Sequence, residues 1–170
     1  MPMIDAFLAE YDHEAATTRR VLERMPEDKV DWRPHERSMT LGRLCGHIAE
    51  MPVWGRVVLG EDGFDVATSG ERGYESFVAH DRDSLLERFD GAVAALREAA
   101  RGYPDERMRD SWTLANGGQV VFSSPRGAAL RGFVFSHLIH HRGQLSVYLR
   151  LLDVPVPSIY GPSADEEPVR

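Results

Sequence analysis

The chain has 170 residues, of which 42% are hydrophobic and 28% charged, so its length and composition are those of a globular protein with a real core. Its formal net charge of −7, without a basic stripe, argues against a function built on neutralising phosphates, and we expect no nucleic acid partner. No apolar run approaches the length of a membrane span and no secretory leader begins the sequence, so we expect a single cytoplasmic domain over residues 1–170 with no membrane partner.

The first predicted element is an amphipathic helix. Apolar residues recur at steps of three and four from Ile4 to Met25, and Pro26 then ends the pattern. His13 falls on the polar side, where we expect it to face solvent. Glu14 lies next to the apolar stripe. We interpret it first as a carboxylate at the edge of that stripe, with a supporting acid near a site as the alternative.

A second helix follows a loop over residues 26–39. Thr40 is a good N-cap, because its hydroxyl can accept a hydrogen bond from a backbone N–H of the first turn. His47 shares a stripe with large apolar residues, so we expect it to point inward. Cys45, the only cysteine, is turned about 200° away from His47 on a helix and is expected to be a small core residue. Pro52 predicts a kink or break, because proline removes a backbone hydrogen bond.

Residues 60–80 are rich in Gly, Asp, Ser and Glu, which predicts a long surface loop. Asp81 can cap a third helix, whose apolar stripe carries no metal-ligand type of residue and should supply core only. Further on, Asn116-Gly117 stands between two β-prone runs, which predicts a two-stranded hairpin over residues 111–123. A lone hairpin is marginally stable, so it must pack against the helices or against another subunit.

The last helix is predicted to open at Ser124 and Pro125, a good pair for the N-cap and first turn, and to continue to Leu152. Four prolines after residue 153 forbid helix and favour an extended tail. Ile159 and Tyr160 are too apolar for a fully solvated tail. We therefore expect this segment to lie back across the helices.

The main functional signal lies on the last helix. His137 and His141 are four residues apart on its apolar stripe, a spacing that lets two imidazoles reach one metal ion from a single helical turn. Two core histidines with hydrogen-bonded rings are the alternative. His140 also neighbours His137 on a helix, so the spacing alone leaves that pairing open. His47 would supply a third ligand if the second and last helices pack together.

Four amphipathic helices with short connections predict an all-α fold: an antiparallel four-helix bundle with a small β-hairpin between helices 3 and 4 and an extended Pro-rich C-terminal tail. Such bundles build metal sites from inward side chains on facing helices. Three imidazoles would leave a coordination position open, as catalytic sites do, and the ion would keep its full charge to activate a water or a thiol.

Three segments resemble the DinB-like family: S-M-T-L-G-R-L-C-G-H at 38–47, S-H-L-I-H-H-R-G-Q-L at 136–145 and V-P-S-I-Y-G-P-S-A-D at 156–165. The resemblance covers nearly the whole chain. It implies a four-helix bundle, commonly homodimeric, with a divalent metal ion on three histidines. Matching the motifs residue by residue places these ligands at His47, His137 and His141 and disfavours His140. The related superfamily includes bacillithiol and mycothiol S-transferases, which implies thiol chemistry as a candidate activity.

Two functions follow from the sequence. The first is a metal-dependent enzyme that activates a thiol or water for attack on a small-molecule substrate, as an S-transferase or a hydrolase. Its ion is expected to be zinc or nickel, with iron or manganese as alternatives and a low-molecular-weight thiol as candidate cosubstrate. The second is a non-catalytic metal-binding or stress-response interaction module. The sequence offers no convincing general acid or base: the first nominee is Glu14, followed by the weaker candidates Glu50, Arg142, Gln144 and Tyr160.

Overall fold

A computed structural model describes residues 2–69 and 76–167, and four long helical segments make up most of this part of the chain. The helices are α1, Met3–Leu22; α2, Leu41–Gly60; a short α3, Val66–Ser69; and α4, Arg82–Ala100. The last segment consists of α5, Arg126–Ala129, a π-helical stretch, Leu130–Ser136, and α6, His137–Leu151. Single 3-10 turns lie at Glu27–Lys29 and Arg107–Arg109.

Side chains cap α2 and α4 where the sequence predicts caps. Thr40 Oγ1 accepts from the backbone N–H of Arg43 at 3.2 Å, and the Asp81 carboxylate accepts from that of Ser84 at 2.7 Å. Both bonds satisfy an N–H of the first turn that has no partner within the helix. α2 then continues through Pro52 to its end, so the predicted break does not occur.

α2 lies at the centre of the helical packing. It packs against both α4 and α6, and α1 packs against the same two helices. The core includes Tyr11, Ile48, Phe89 and Leu145, one from each long segment, and Cys45 is buried among such residues as predicted. The contact between α2 and α6 is the one that brings the inward histidines of two segments together.

The prediction of an all-α fold with a lone hairpin is wrong, because the strands form a three-stranded mixed sheet. The predicted hairpin is present: β2, Ser111–Asn116, pairs antiparallel with β3, Gln119–Pro125, around a turn in which Gly117 and Gly118 have φ of 61° and 78°. The additional strand, β1, Gly63–Asp65, pairs with β2 in parallel. The fold is therefore mostly helical with a small sheet.

β1 escapes sequence analysis because three residues are too few to show an alternating pattern. A tertiary contact holds it instead. The Asp65 carboxylate accepts from the backbone N–H groups of Gly117 and Gly118 at 2.9 and 2.7 Å, so one side chain joins β1 to the hairpin turn. Phe64 also packs edge-on against Trp54 of α2, with ring centroids 4.8 Å apart.

The last helix differs from its prediction at its start. Ser124 and Pro125 belong to β3, where they pair with Trp112 and Ser111, and the helix begins at Arg126 without a side-chain cap. Strand pairing with β2 therefore takes the place of the predicted N-cap at Ser124.

The same helix is not uniformly α-helical. Leu130–Ser136 forms a π-helix, in which the hydroxyl of Ser136 donates to the carbonyl of Arg131 at 2.9 Å. π-Helical turns are rare and frequently occur at functional sites. This one ends directly before His137.

The C-terminal tail lies back across the helices, as predicted. Val156 and Ser158 are buried, Arg20 of α1 donates to the carbonyl of Ser158, and Arg24 pairs with Glu166.

Residues 70–75, within the predicted surface loop at 60–80, lie outside the described part of the chain. Among the described helices, none combines the length and the apolar character needed to cross a membrane.

Candidate metal centre

Three histidines converge between α2 and α6. His47 comes from α2, and His137 and His141 come from successive turns of α6. One ring nitrogen from each can be chosen so that all three lie within 4.8 Å of one another, and the Nε2 atoms of His47 and His137 are 3.5 Å apart. His141 is buried, and the other two are half-buried.

This spacing fits a metal ion. Two nitrogens bound tetrahedrally to zinc at about 2.0–2.1 Å lie roughly 3.4 Å from each other, which is close to the 3.5 Å between His47 and His137. Imidazole nitrogens are ligands for zinc, nickel and iron alike. Geometry and donor chemistry thus both suit one divalent ion on three rings.

The Nδ1 atoms of the two α6 histidines, which are the outer ring nitrogens when Nε2 binds the ion, face hydrogen-bond acceptors. His141 Nδ1 lies 2.7 Å from Gln144 Oε1, and His137 Nδ1 lies 3.3 Å from the carbonyl of Phe133, within the π-helical stretch. A proton on each Nδ1 can donate to these oxygens, which leaves Nε2 with a free lone pair. The surroundings therefore favour the tautomer that a metal at Nε2 requires.

His47 has a different environment. Its Nδ1 lies 3.5 Å from Arg43 Nη2 and 3.9 Å from Glu50 Oε2. Glu50 is only 1% exposed, and its carboxylate accepts from Arg43 Nη1 at 3.2 Å and from the backbone N–H of Phe77 at 2.6 Å. A partly buried ion pair therefore lies beside this imidazole.

Burial keeps the three rings neutral. It is the main cause that lowers the pKa of His47 and of His141 to about 4, and the neighbouring histidines and Arg43 contribute in the same direction. At His141 the hydrogen bond with Gln144 opposes this lowering. Burial also lowers the pKa of His137, against the opposing effect of its bond to Phe133. Neutral imidazoles are the form that binds metal, so no proton has to leave at neutral pH.

The two other nearby candidates stay apart from this cluster. His140 is exposed and is not among the ring nitrogens that converge, although its ring packs against His141. Cys45 is buried, and burial raises the pKa of its thiol, which disfavours the thiolate that a metal would need. His13 is exposed, as predicted.

The nominated acids and bases divide into two groups. Glu50 and Gln144 lie beside the histidines, as described above. Glu14, Arg142 and Tyr160 instead contact one another: Arg142 Nη1 lies 2.5 Å from a carboxylate oxygen of Glu14, and the Tyr160 hydroxyl donates to that carboxylate at 2.9 Å. The interpretation of Glu14 as an edge carboxylate is wrong, since it is 5% exposed. Glu14 is instead engaged in an ion pair with Arg142.

Sequence reasoning missed Arg43 and the carbonyl of Phe133. A usable signal exists for the first, because Arg43, His47 and Glu50 recur at steps of four and three and thus share one face of α2. No such signal exists for Phe133, because its role depends on the π-helical turn.

Comparisons with known proteins agree with one another. A model of the DinB family matches residues 1–168. The uncharacterised protein YrdA of Bacillus subtilis (strain 168) is 27% identical over 171 aligned positions, which cover 96% of this chain and 91% of that protein.

Solved structures agree on the fold. A DinB-like protein from Bacillus cereus ATCC 10987 superposes with a TM-score of 0.69 at 20% identity, over 92% of this chain and 97% of that one. The DinB-like protein YjoA of Bacillus subtilis gives a TM-score of 0.62 at 21% identity, over 87% and 94%. With the family match over nearly its whole length, the chain belongs to the DinB family.

Proposed function

We propose that the protein binds one divalent metal ion through His47, His137 and His141 and is a metal-dependent enzyme acting on a small electrophilic substrate. The observation that carries this proposal is the convergence of three neutral imidazoles from two helices, with two outer nitrogens already facing acceptors. Zinc and nickel are our first choices for the ion, followed by iron and manganese.

The residues of the chain have three tasks in this proposal. α2 and α6 hold the rings at ligand spacing, burial keeps them unprotonated, and Gln144 and the Phe133 carbonyl fix the tautomers of the α6 rings. Three protein ligands leave a coordination position open to a small molecule. When bound, a divalent ion lowers the pKa of a thiol or a water beside it.

Thiol transfer demands less of the surrounding residues than hydrolysis. A free thiol has a pKa of about 8.5 and is partly ionised at neutral pH, whereas water starts from about 15.7. Glu14 and Glu50 are both engaged by arginines, so neither stands ready as a general base for water. We therefore propose an S-transferase-like reaction with a low-molecular-weight thiol before a hydrolase-like one.

The pairing of Glu14 and Glu50 with arginines also favours the second candidate function. A non-catalytic metal-binding or interaction module needs no general acid or base, and the first nominee for that role, Glu14, is paired with Arg142.

The experiment starts from untagged protein purified without chelator, whose metal content is measured by elemental analysis. Metal-free protein is then titrated with zinc, nickel, iron and manganese and assayed for conjugation of cysteine, glutathione, bacillithiol and mycothiol to chlorodinitrobenzene and related electrophiles. We expect stoichiometric metal binding and a conjugation rate that chelation abolishes. Tight metal binding without turnover for every combination of metal and thiol supports the non-catalytic module. Absence of stoichiometric metal binding overturns both candidate functions.

We also propose a homodimer. The family resemblance supports it, and so do the exposed apolar side chains of Val147 and Leu151 on α6, each 57% exposed. Light scattering on the purified protein tests it: a monomer mass at every concentration contradicts it.

A further inference from the structure

We propose that Glu50 is the residue that positions His47 for metal binding, by accepting the Nδ1 proton and so directing Nε2 towards the ion. This inference rests on the proposed function, because it assigns a partner to one of the three ligands. It makes Glu50 a positioning residue that acts through His47, and it does not require contact between Glu50 and the metal or a substrate.

Of the three rings, that of His47 is the one whose Nδ1 has no settled acceptor within the described part of the chain. His137 and His141 each have an oxygen facing Nδ1, at 3.3 and 2.7 Å. His47 Nδ1 instead faces a donor, Arg43 Nη2 at 3.5 Å, and an acceptor, Glu50 Oε2 at 3.9 Å. A guanidinium has donors only, so Arg43 cannot accept a proton from the ring.

The two neighbours therefore favour opposite tautomers. A bond from Arg43 to Nδ1 requires the ring proton on Nε2, the atom that lies 3.5 Å from His137 Nε2, where the proton would block metal binding. A bond from Nδ1–H to Glu50 leaves Nε2 free. Closing the gap of 3.9 Å to a hydrogen bond needs a movement of about 1 Å, which has to come from the His47 ring because other bonds hold the Glu50 carboxylate.

Glu50 is held in place for this task. Its Oε1 accepts from the backbone N–H of Phe77, its Oε2 accepts from Arg43 Nη1, and Arg43 Nη1 also donates to the carbonyl of Phe77 at 3.2 Å. A buried carboxylate must stay paired, and these two donors leave Oε2 with further acceptor capacity towards His47. The carboxylate is thus fixed on the face of α2 that carries the ligand.

Glu50→Gln tests the role while conserving shape. In this variant the amide oxygen stays with the Phe77 N–H, so the amide NH2 points towards Arg43 and His47 and donates to Nδ1 rather than accepting from it. The matched control is Glu14→Gln, because Glu14 is also a buried glutamate that pairs with an arginine, 5% exposed against 1% for Glu50, but its partners are Arg142 and Tyr160.

Two readouts are needed. The first is zinc affinity by competition with a chromogenic chelator, where we expect Glu50→Gln to bind about 10–100-fold more weakly than wild type and Glu14→Gln to stay within about 3-fold. The second is the tautomer of His47 in metal-free protein, read from long-range proton–nitrogen NMR spectra of the ring. We expect Nδ1–H in wild type and Nε2–H in Glu50→Gln, a change that a merely structural role would not produce.

The outcomes separate this inference from the proposed function. If wild type binds zinc and Glu50→Gln binds it equally well, the positioning role is overturned while the metal site stands. If wild type binds no metal, the proposed function fails, and the NMR readout alone decides about Glu50. The same His47 tautomer in wild type and Glu50→Gln overturns the role in either case.

Discussion

At His47 and His141, burial lowers the pKa to about 4, and this makes the stability of the metal-free protein depend on pH. The unfolded chain has histidines with a pKa of about 6.5, so between pH 6.5 and 4 the unfolded state binds more protons than the folded state. The stabilisation is therefore complete above pH 6.5 and is lost as pH falls towards 4.

We predict that the free energy of unfolding of metal-free protein falls by a few kcal/mol over this range, since one pKa unit corresponds to about 1.4 kcal/mol. Urea titrations at several pH values measure it. His141→Gln should flatten the slope more than His140→Gln does, since His140 is an exposed ring that contributes only in a minor way to the pKa of His141. Equal slopes in both variants and wild type would show that burial of His141 does not control its protonation.

The adjacent pair His140 and His141 also offers a sharp test of which ring is a ligand. His141→Ala removes one of three converging nitrogens, and we predict a loss of at least about 100-fold in zinc affinity, beyond the range of changes to outer partners. His140→Ala should keep the affinity of wild type. Chelator competition on both variants measures this, and a larger loss in His140→Ala would mean that the ligand set is misassigned.

The sequence predicts much of the site. Steps of three and four residues place His47, His137 and His141 on inward faces, and the structure brings them together. The Nδ1 partners were predictable only in part: Gln144 and Glu50 each lie three residues from their histidine, but two further features depend on the folded structure. The acceptor for His137 depends on a π-helical turn, and the environment of His47 depends on Phe77, which reaches it only through tertiary packing.

Residues 76–79 lie so close to α2 that only glycine fits at the two positions of α2 that face them. A Cβ on Gly46 would come within 2.1 Å of the carbonyl oxygen of Phe77, and one on Gly42 within 2.4 Å of that of Ala79. Real Cβ contacts do not occur at such distances. These two glycines let the segment reach Glu50 and Arg43.

We predict that Gly46→Ala destabilises the protein by about 1–3 kcal/mol, because the segment has to move away, and that it weakens zinc binding by releasing Glu50. Gly91→Ala on α4 is the control, since nothing lies within 4 Å of its added Cβ. Alanine there should stabilise by about 0.5–1 kcal/mol. Urea unfolding gives both values. A neutral Gly46→Ala would contradict the close packing.

The elements themselves were predictable where periodicity is long. The caps at Thr40 and Asp81 and the Asn116-Gly117 hairpin signal all agree with the structure. β1 was not predictable, because its three residues are held by the Asp65 contact with the hairpin turn. The start of the last helix was mispredicted because strand pairing at Ser124 competes with capping.

One set of contacts ties α1, α6 and the C-terminal tail together, and it consists of Glu14, Arg142 and Tyr160. Arg142 is 1% exposed and donates to the Tyr160 hydroxyl at 2.7 Å in addition to its pair with Glu14. A buried guanidinium cannot shed its charge, so it depends on these partners. The sequence predicts that the tail lies across the helices, but it gives no signal for the contact of Tyr160 with Arg142 and Glu14.

We predict that Glu14→Gln lowers the free energy of unfolding by about 3 kcal/mol, since it leaves the buried charge of Arg142 without its counter-ion. Tyr160→Phe should cost only about 1 kcal/mol, because it removes one hydroxyl from a side chain that is 65% exposed. Chemical denaturation of both variants at neutral pH measures the difference. A Glu14→Gln variant as stable as wild type would mean that the ion pair contributes nothing.

X-ray absorption at the zinc edge reads the ligand set of the proposed site, on untagged protein loaded with one equivalent of zinc and no added thiol. We predict three imidazole nitrogens at about 2.0–2.1 Å, one further light-atom ligand and no sulfur, because Cys45 is buried and does not belong to the group of converging ligand atoms. A spectrum with fewer than three imidazoles, or with a zinc–sulfur distance of about 2.3 Å, would contradict a site built on His47, His137 and His141.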